Sequence, residues 1–288
     1  MTRTETRKTR DGGTLMIRIR LGARLRQLRM AAGKEMLDAA QYLRVDKATI
    51  SRIENGRTSA KVAHVRLLAA FYGAKDLEDE LVEEAERGAA PGWWAEFGPE
   101  PWFKELLGRE SVATGLDLFE TELVPGLLQT EGYIRGFRAA AVPDATEEAT
   151  ARLVQFRLAR QRHLVDGGVP TMRVILNEAV LMRPVGDPEA WRGQLEHIVK
   201  VASDPQVTVQ VLPFSSGAHP AMGVPFYALT VKDEPSLDAV YLEDDRSGRQ
   251  LTREGDLQRY RDIFTRLTSM SMSPDETVAY LSTLARNA

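Results

Sequence analysis

The stretch Val45–Gly56, VDKATISRIENG, decides the fold of the first part of this chain. Asp46 offers an N-terminal cap, Ile50 and Ile53 fall on one side at helical spacing, and Asn55-Gly56 closes the element, so the stretch predicts a short helix. Lys47, Ala48, Thr49, Ser51 and Arg52 are left on the open side. A helix too short to stand alone, with polar groups and a guanidinium outward, suits direct readout of base edges in a DNA groove. The same residues also fit an ordinary solvated helix, and the flanking sequence separates the two.

Upstream, residues 20–32 (RLGARLRQLRMAA) place Leu21, Leu25 and Leu28 at helical spacing with Arg24, Arg26 and Arg29 elsewhere, and Gly33 stops the element. Residues 35–43 (EMLDAAQYL) read as a second short helix with Leu37, Ala40 and Leu43 available for packing. Arg44-Val45 is the turn between it and the opening stretch. Two short helices joined by a tight turn form the unit that sets a recognition helix in the major groove. Downstream, residues 60–72 (AKVAHVRLLAAFY) close the bundle through Val62, Val65, Leu68 and Ala69.

At 288 residues and 43% hydrophobic, the chain is long enough for about two domains with proper cores. No run approaches the length of a membrane span, and the N-terminus is basic and polar without an apolar signal segment, which places the protein in the cytoplasm with no membrane partner. Cysteine is absent, so disulfides, thiolate metal sites and a cysteine nucleophile are excluded. The net charge of -3 hides a segregation: residues 1–73 hold 16 Lys+Arg against 6 Asp+Glu, and the remainder is acidic. That asymmetry fits a nucleic-acid footprint at one end and a body that does not bind it. Residues 1–15 read as a mobile basic tail, with Met16 standing where an alternative start would fall. Residues 16–73 read as the DNA-binding domain, 74–92 as an acidic helical connector, and 93–288 as a C-terminal regulatory and dimerisation domain.

The pattern Ile50-Ser51-Arg52-Ile53-Glu54-Asn55-Gly56, preceded by LRQLR at 25–29, resembles the helix-turn-helix domain of the Cro and lambda-repressor type, the xenobiotic-response-element family. The resemblance implies base readout by Lys47, Ala48 and Arg52, with Thr49 and Ser51 at the groove edge. It implies phosphate contacts by Asn55, Arg57 and Lys61, with Lys34 as a further candidate, and a buried ion pair between Arg29 and Glu54. The chain departs from the family at Met36, where Gln is usual, so one backbone clamp is in doubt. Ala48 offers only a methyl contact, which leaves hydrogen-bonded readout to Lys47 and Arg52, both suited to guanine.

Further on, Trp93, Trp94, Phe97, Trp102 and Phe103 read as a core anchor or a partner-facing cluster. Residues 111–122 fit a strand or a helix start, and 124–130 a tight turn into a helix. Residues 146–165 form an amphipathic helix with a basic face of Arg152, Arg157, Arg160 and Arg162. Strands at 172–176, 207–212, 226–231 and 239–242, with a helix at 187–202, predict a small mixed sheet, and helices at 254–268 and 274–285 finish the chain. The fold class is thus an α-helical helix-turn-helix bundle followed by an α/β (α+β) domain. LVPGLLQTEGYIRGF, ILNEAVLMRPVG and VQVLPFSSGAHPAMGVPF resemble the C-terminal domain of the actinobacterial WhiJ-like regulators. That resemblance implies a regulator whose second domain answers to something, and a possible partner in a small acidic protein encoded nearby.

Catalysis has weak support. His219 in a Gly-rich loop, Glu178 after a strand, the run Glu243, Asp244, Asp245, and Ser215 or Ser216 are the candidates. No nucleophile elbow or phosphate-binding loop occurs, the four His lack metal spacing, and no cofactor is implied, so the chain is expected not to be an enzyme. A pocket, if present, is expected at Pro125, Gln129, Glu178 and His219. The expected function is a sequence-specific DNA-binding transcription regulator, a homodimer on double-stranded DNA whose second domain senses a ligand or small protein. The alternative is an antitoxin-like scaffold that grips a small acidic partner and regulates its own synthesis.

Overall fold

Five helices pack around one apolar centre in the first part of the chain: α1 (Gly13–Ala31), α2 (Met36–Leu43), α3 (Lys47–Glu54), α4 (Val62–Phe71) and α5 (Glu78–Ala89). The computed structural model describes residues 13–90, 92–166, 171–232, 235–243 and 247–288. Leu21, Leu25, Ala39, Ala40, Leu43, Ile50, Ile53, Val65, Leu68, Leu81 and Ala85 are buried together, each large side chain contributing about 1.5–3 kcal/mol through removal from water. Leu37, expected to pack, is instead 53% exposed, because α2 turns Ala39, Ala40 and Leu43 inward.

The start of α1 lies earlier than the sequence pattern shows. Residues 13–15, read as part of a tail, are helical, and residues 1–12 of that tail lie outside the described residues. The first turns of α1 gain a partner in α5, where a Cβ on Gly88 would stand 3.1 Å from Arg18 Cγ. The acidic segment is therefore not a solvated connector. Leu81, Val82 and Ala85 form its buried stripe, Arg24 Nη1 donates to Glu80 at 2.9 Å and to Glu84 at 2.8 Å, and Arg66 meets Glu78 at 2.8 Å. Trp93 and Trp94, edge to face in a single-turn helix at Trp93–Phe97, also fall with this unit, which runs to Gly98 and takes in Leu107–Val112. The expected boundary at residue 93 is thus a few residues early.

The second unit comprises residues 99–106 and 113–288. In chain order it holds the start of α6 (Pro101–Glu110), β1 (Gly115–Glu120), α7 (Glu131–Ala141), α8 (Glu147–Asp166), β2 (Thr171–Asn177), α9 (Ala179–Met182), α10 (Pro188–Val201), β3 (Val207–Leu212), β4 (Phe226–Thr230), β5 (Ala239–Glu243), β6 (Gly248–Leu251), α11 (Glu254–Met270) and α12 (Pro274–Asn287). The six strands form one mixed sheet in the order β3-β2-β1-β4-β5-β6, parallel across β1, β2 and β3 and antiparallel beyond. Cover on both faces of the sheet explains why Val174, Ile175 and Leu176 of β2 are buried in succession and why β3 buries every residue but Thr208.

One face of the sheet carries Leu116, Leu118, Val174, Leu176, Val209 and Val211 against Tyr133 of α7, Leu195 and Ile198 of α10 and Leu281 of α12. The other carries Phe119, Ile175, Leu212, Phe226 and Val240 against Leu257, Phe264 and Leu267 of α11. The fully buried Gln194 ties α10 to the turn before α7, accepting from Thr130 N at 2.7 Å and donating to Leu128 O at 2.7 Å. Because β3 is an edge strand and β4 lies beside β1, the loop at 213–225 must pass the carboxyl ends of β2 and β1. In open α/β sheets ligands bind at that end.

Candidate nucleic-acid interface

The candidate recognition helix is α3, and its two ends are fixed by local chemistry. Asp46 Oδ1 accepts from Thr49 N at 2.5 Å, and this bond holds the Asp46 carboxyl below its ordinary range. At the other end Gly56 adopts φ +66, and a Cβ there would fall 2.4 Å from Ile19 Cγ1, so only glycine fits. The turn from α2 is held by Arg44 in the left-handed region at φ 56 and by Val45 N donating to Ala40 O at 2.9 Å. Arg44, exposed beside the start of α3, is a further cation there that the sequence pattern marks only as part of a turn.

With Ile50, Ile53 and Glu54 buried, Lys47, Ala48 and Arg52 are exposed and Thr49 and Ser51 half-buried. Arg52 Nη2 donates to Thr49 Oγ1 at 2.9 Å and stands 3.8 Å from Asp46 Oδ1. An exposed pair at that distance holds a side chain weakly, so the guanidinium can swing to a base edge at little cost.

The flanking positions divide. Arg57 and Lys61 are exposed, and among the described residues neither has an ion-pair partner. Lys61 precedes α4, whose first turn has no side-chain cap, so its N–H groups face outward as a ready phosphate seat. Asn55 is engaged internally, Nδ2 donating to Ser51 O at 2.8 Å. Lys34 lies over the Phe71 ring at 5.1 Å, and Phe71 stacks on Tyr42 at 4.3 Å. At the start of α2, Glu35 N donates to Asp38 Oδ2 at 2.7 Å in a capping box, which sets two carboxylates at this helix start beside Met36.

Behind the interface Arg29 grips Glu54 with two hydrogen bonds, Nε to Oε1 at 2.6 Å and Nη2 to Oε2 at 3.0 Å, and gives Nη1 to Lys34 O at 2.8 Å. Both side chains are buried, so the last turn of α3 is locked to the end of α1.

The expected pocket residues of the second unit go to different partners. Gln129 is buried with Pro125, donates to Val124 O at 2.7 Å and accepts from Arg157 of α8. Glu178 accepts from Phe214 N at 2.7 Å and from the Tyr280 hydroxyl at 2.8 Å. His219 packs edge-on to Phe119 at 5.5 Å, its Nδ1 has no hydrogen-bond partner, and burial lowers its basicity. Ser216 Oγ donates to Met270 O at 2.7 Å. Asp244 and Asp245 lie outside the described residues. Of the basic face expected on α8, Arg152 and Arg162 are exposed while Arg157 and Arg160 turn inward. An open groove of about 550 Å³ between α10 and α12 is lined by Arg192, Glu196, Val199, Ser282, Ala285 and Arg286, none of them foreseen.

Among the described residues no helix is long and apolar enough to cross a membrane, and no group of three or more His, Asp or Glu is placed to hold a metal ion. A family model described as a helix-turn-helix domain matches residues 20–84, which reach into the first half of α5, and a second, described as a domain of unknown function (DUF5753), matches residues 103–283. No curated protein and no solved structure matches the chain. The helix-turn-helix match marks a DNA-binding regulator.

Proposed function

Because the chain belongs to the DUF5753 family through residues 103–283 and carries a helix-turn-helix domain ahead of it, we propose that it is a sequence-specific transcription regulator of the cytoplasm, acting as a homodimer, whose second domain senses a ligand or a small protein. The observation that carries this reading is the division of α3: Ile50, Ile53 and Glu54 face the core, and Lys47, Ala48 and Arg52 face outward with Arg57 and Lys61 beside them. Two such helices enter successive major grooves of an imperfect palindrome, and binding at the second domain shifts the population competent for DNA.

The test is a mobility shift on the DNA upstream of the protein's own gene. Arg52→Ala loses sequence preference, and Arg57→Ala weakens all sequences alike. Wild-type binding by both variants refutes the groove assignment.

A second reading, the partner-gripping scaffold, draws support from exposed apolar side chains near the loop at 213–225, namely Phe214 (60% exposed), Met222 (67%) and Val224 (41%). A pull-down with the product of the neighbouring gene separates the two, and a stable complex without any DNA binding favours the scaffold. In either reading the second domain binds and does not catalyse.

A further inference from the structure

Glu120 ends β1, on the face of the sheet that also carries Leu116 and Leu118. Its side chain is only partly exposed, and among the described residues its carboxyl has no hydrogen-bond or ion-pair partner. A carboxyl enclosed by protein and left unpaired costs stability, so such groups persist where something else needs them. The parallel register that runs β1 alongside β2 sets Glu120 opposite Leu176, at the carboxyl end of the parallel strands, where open sheets place their ligands.

Among the described residues the groups around it carry more positive than negative charge. Arg157 and Arg160 project from α8, and Glu243 ends β5 on the same side of the sheet. Arg157 is anchored by Gln129, which is itself fixed to Val124 O. The Arg160 guanidinium lies over the Phe103 ring at 5.2 Å, and its Nη1 passes so close to Gly126 that a Cβ there would stand 3.4 Å away. Arg138 of α7 adds a third cation, with its Nε buried and without a partner. The cations thus approach Glu120 already positioned by the protein, and yet none bonds to it.

We propose that this cluster is the binding site for a small organic carboxylate, held by Arg157 and Arg160 and sharing a proton with Glu120. Three guanidinium groups against Glu243 favour an anion over a cation. A neutral Glu120 donates a hydrogen bond to a carboxylate, which an ionised one would repel. Burial, and next to it the field of Glu243, raises the Glu120 carboxyl to about 8 despite Arg160, so at neutral pH it keeps the proton that this bond requires. Tyr133 of α7, whose hydroxyl is held by Val124 N at 3.1 Å, is a further titratable group facing the cluster. The site gives a chemical class to the sensing proposed above and rests on that reading.

The experiment uses the full chain, with thermal shift and calorimetric titration against acetate, benzoate and succinate, each beside its amide, and against inorganic phosphate. Carboxylates raise the melting temperature at pH 7 and the amides do not. Affinity weakens about tenfold between pH 7 and pH 9 as Glu120 ionises. Glu120→Gln binds with no such pH dependence, and Arg160→Gln loses binding. Equal shifts from carboxylates and amides, stronger binding of phosphate, or an affinity in the wild type that does not change with pH each overturn the proposal. If DNA binding persists with no carboxylate response, the site fails and the regulator reading stands. A carboxylate response without DNA binding does the reverse.

Discussion

Glu54 and Glu120 are both acids taken out of water, and the protein treats them in opposite ways. Glu54 is matched by both arms of Arg29. Removing one partner leaves an uncompensated buried charge, so Glu54→Ala is expected to cost about 3–5 kcal/mol in urea unfolding, whereas replacing the pair by Met and Leu together costs far less. Among the described residues Glu120 has no match, and its carboxyl is raised from the ordinary range to about 8. With the folded-state value above the unfolded one, the contribution of the protonated form is complete below the unfolded value and is lost as pH rises towards 8. Glu120→Gln therefore melts higher than wild type at pH 8 and level with it near pH 4, and equal melting at both pH values contradicts the shift. The first acid was legible in the sequence because the resemblance to the helix-turn-helix family implied its pairing with Arg29. Glu120 was not, because a charged residue ending the strand GLDLFE reads as the point where the chain returns to solvent. Only the inward-turned Arg157 and Arg160 reveal that it does not.

At the scale of elements, α3 was readable almost to the residue, since its cap, its two inward isoleucines and its closing glycine are all local signals. The fifth helix was misread for a physical reason. Six acids on twelve residues look like a solvated face, but Leu81, Val82 and Ala85 are enough to seat it on α1, and two of its acids meet Arg24. β6 was missed because GRQL is short and polar and is held as a strand by pairing with β5. How closely α1 approaches α3 was also invisible, and Gly22 sets it: a Cβ there would lie 2.4 Å from Ile53 O and 2.7 Å from Glu54 O. Both obstacles are backbone atoms that cannot step aside. Gly22→Ala is expected to push α3 off its seat, to cost about 1–3 kcal/mol and to abolish specific DNA binding. Thermal unfolding and a mobility shift check it together, and a variant with full DNA affinity refutes the close contact as the support of the reading head.

At the scale of the molecule, charge is segregated twice. The chain is basic to residue 73 and acidic after it, but α5 returns part of that acid to the basic unit, so that residues 1–98 hold 18 Lys+Arg against 14 Asp+Glu. Arg24 and Arg66 are neutralised by α5, while Lys47, Arg57 and Lys61 have no ion-pair partner among the described residues. The footprint on DNA is thus set by a few cations around α3 and not by the net charge of the domain. That makes the salt dependence a count of contacts. With Lys34, Arg57 and Lys61 on phosphates, one subunit gives a slope of log affinity against log salt near about -3, and a homodimer on two half-sites gives about -5. Arg57→Ala lowers the magnitude of the slope by about 1 in a monomer and about 2 in a dimer, since each phosphate contact is then lost twice. Fluorescence anisotropy on a duplex between 50 and 300 mM salt measures both, and a dimer also protects half-sites centred about one helical turn apart in hydroxyl-radical footprinting. A slope near -3 with a single protected half-site dismisses the homodimer while leaving the reading helix in place.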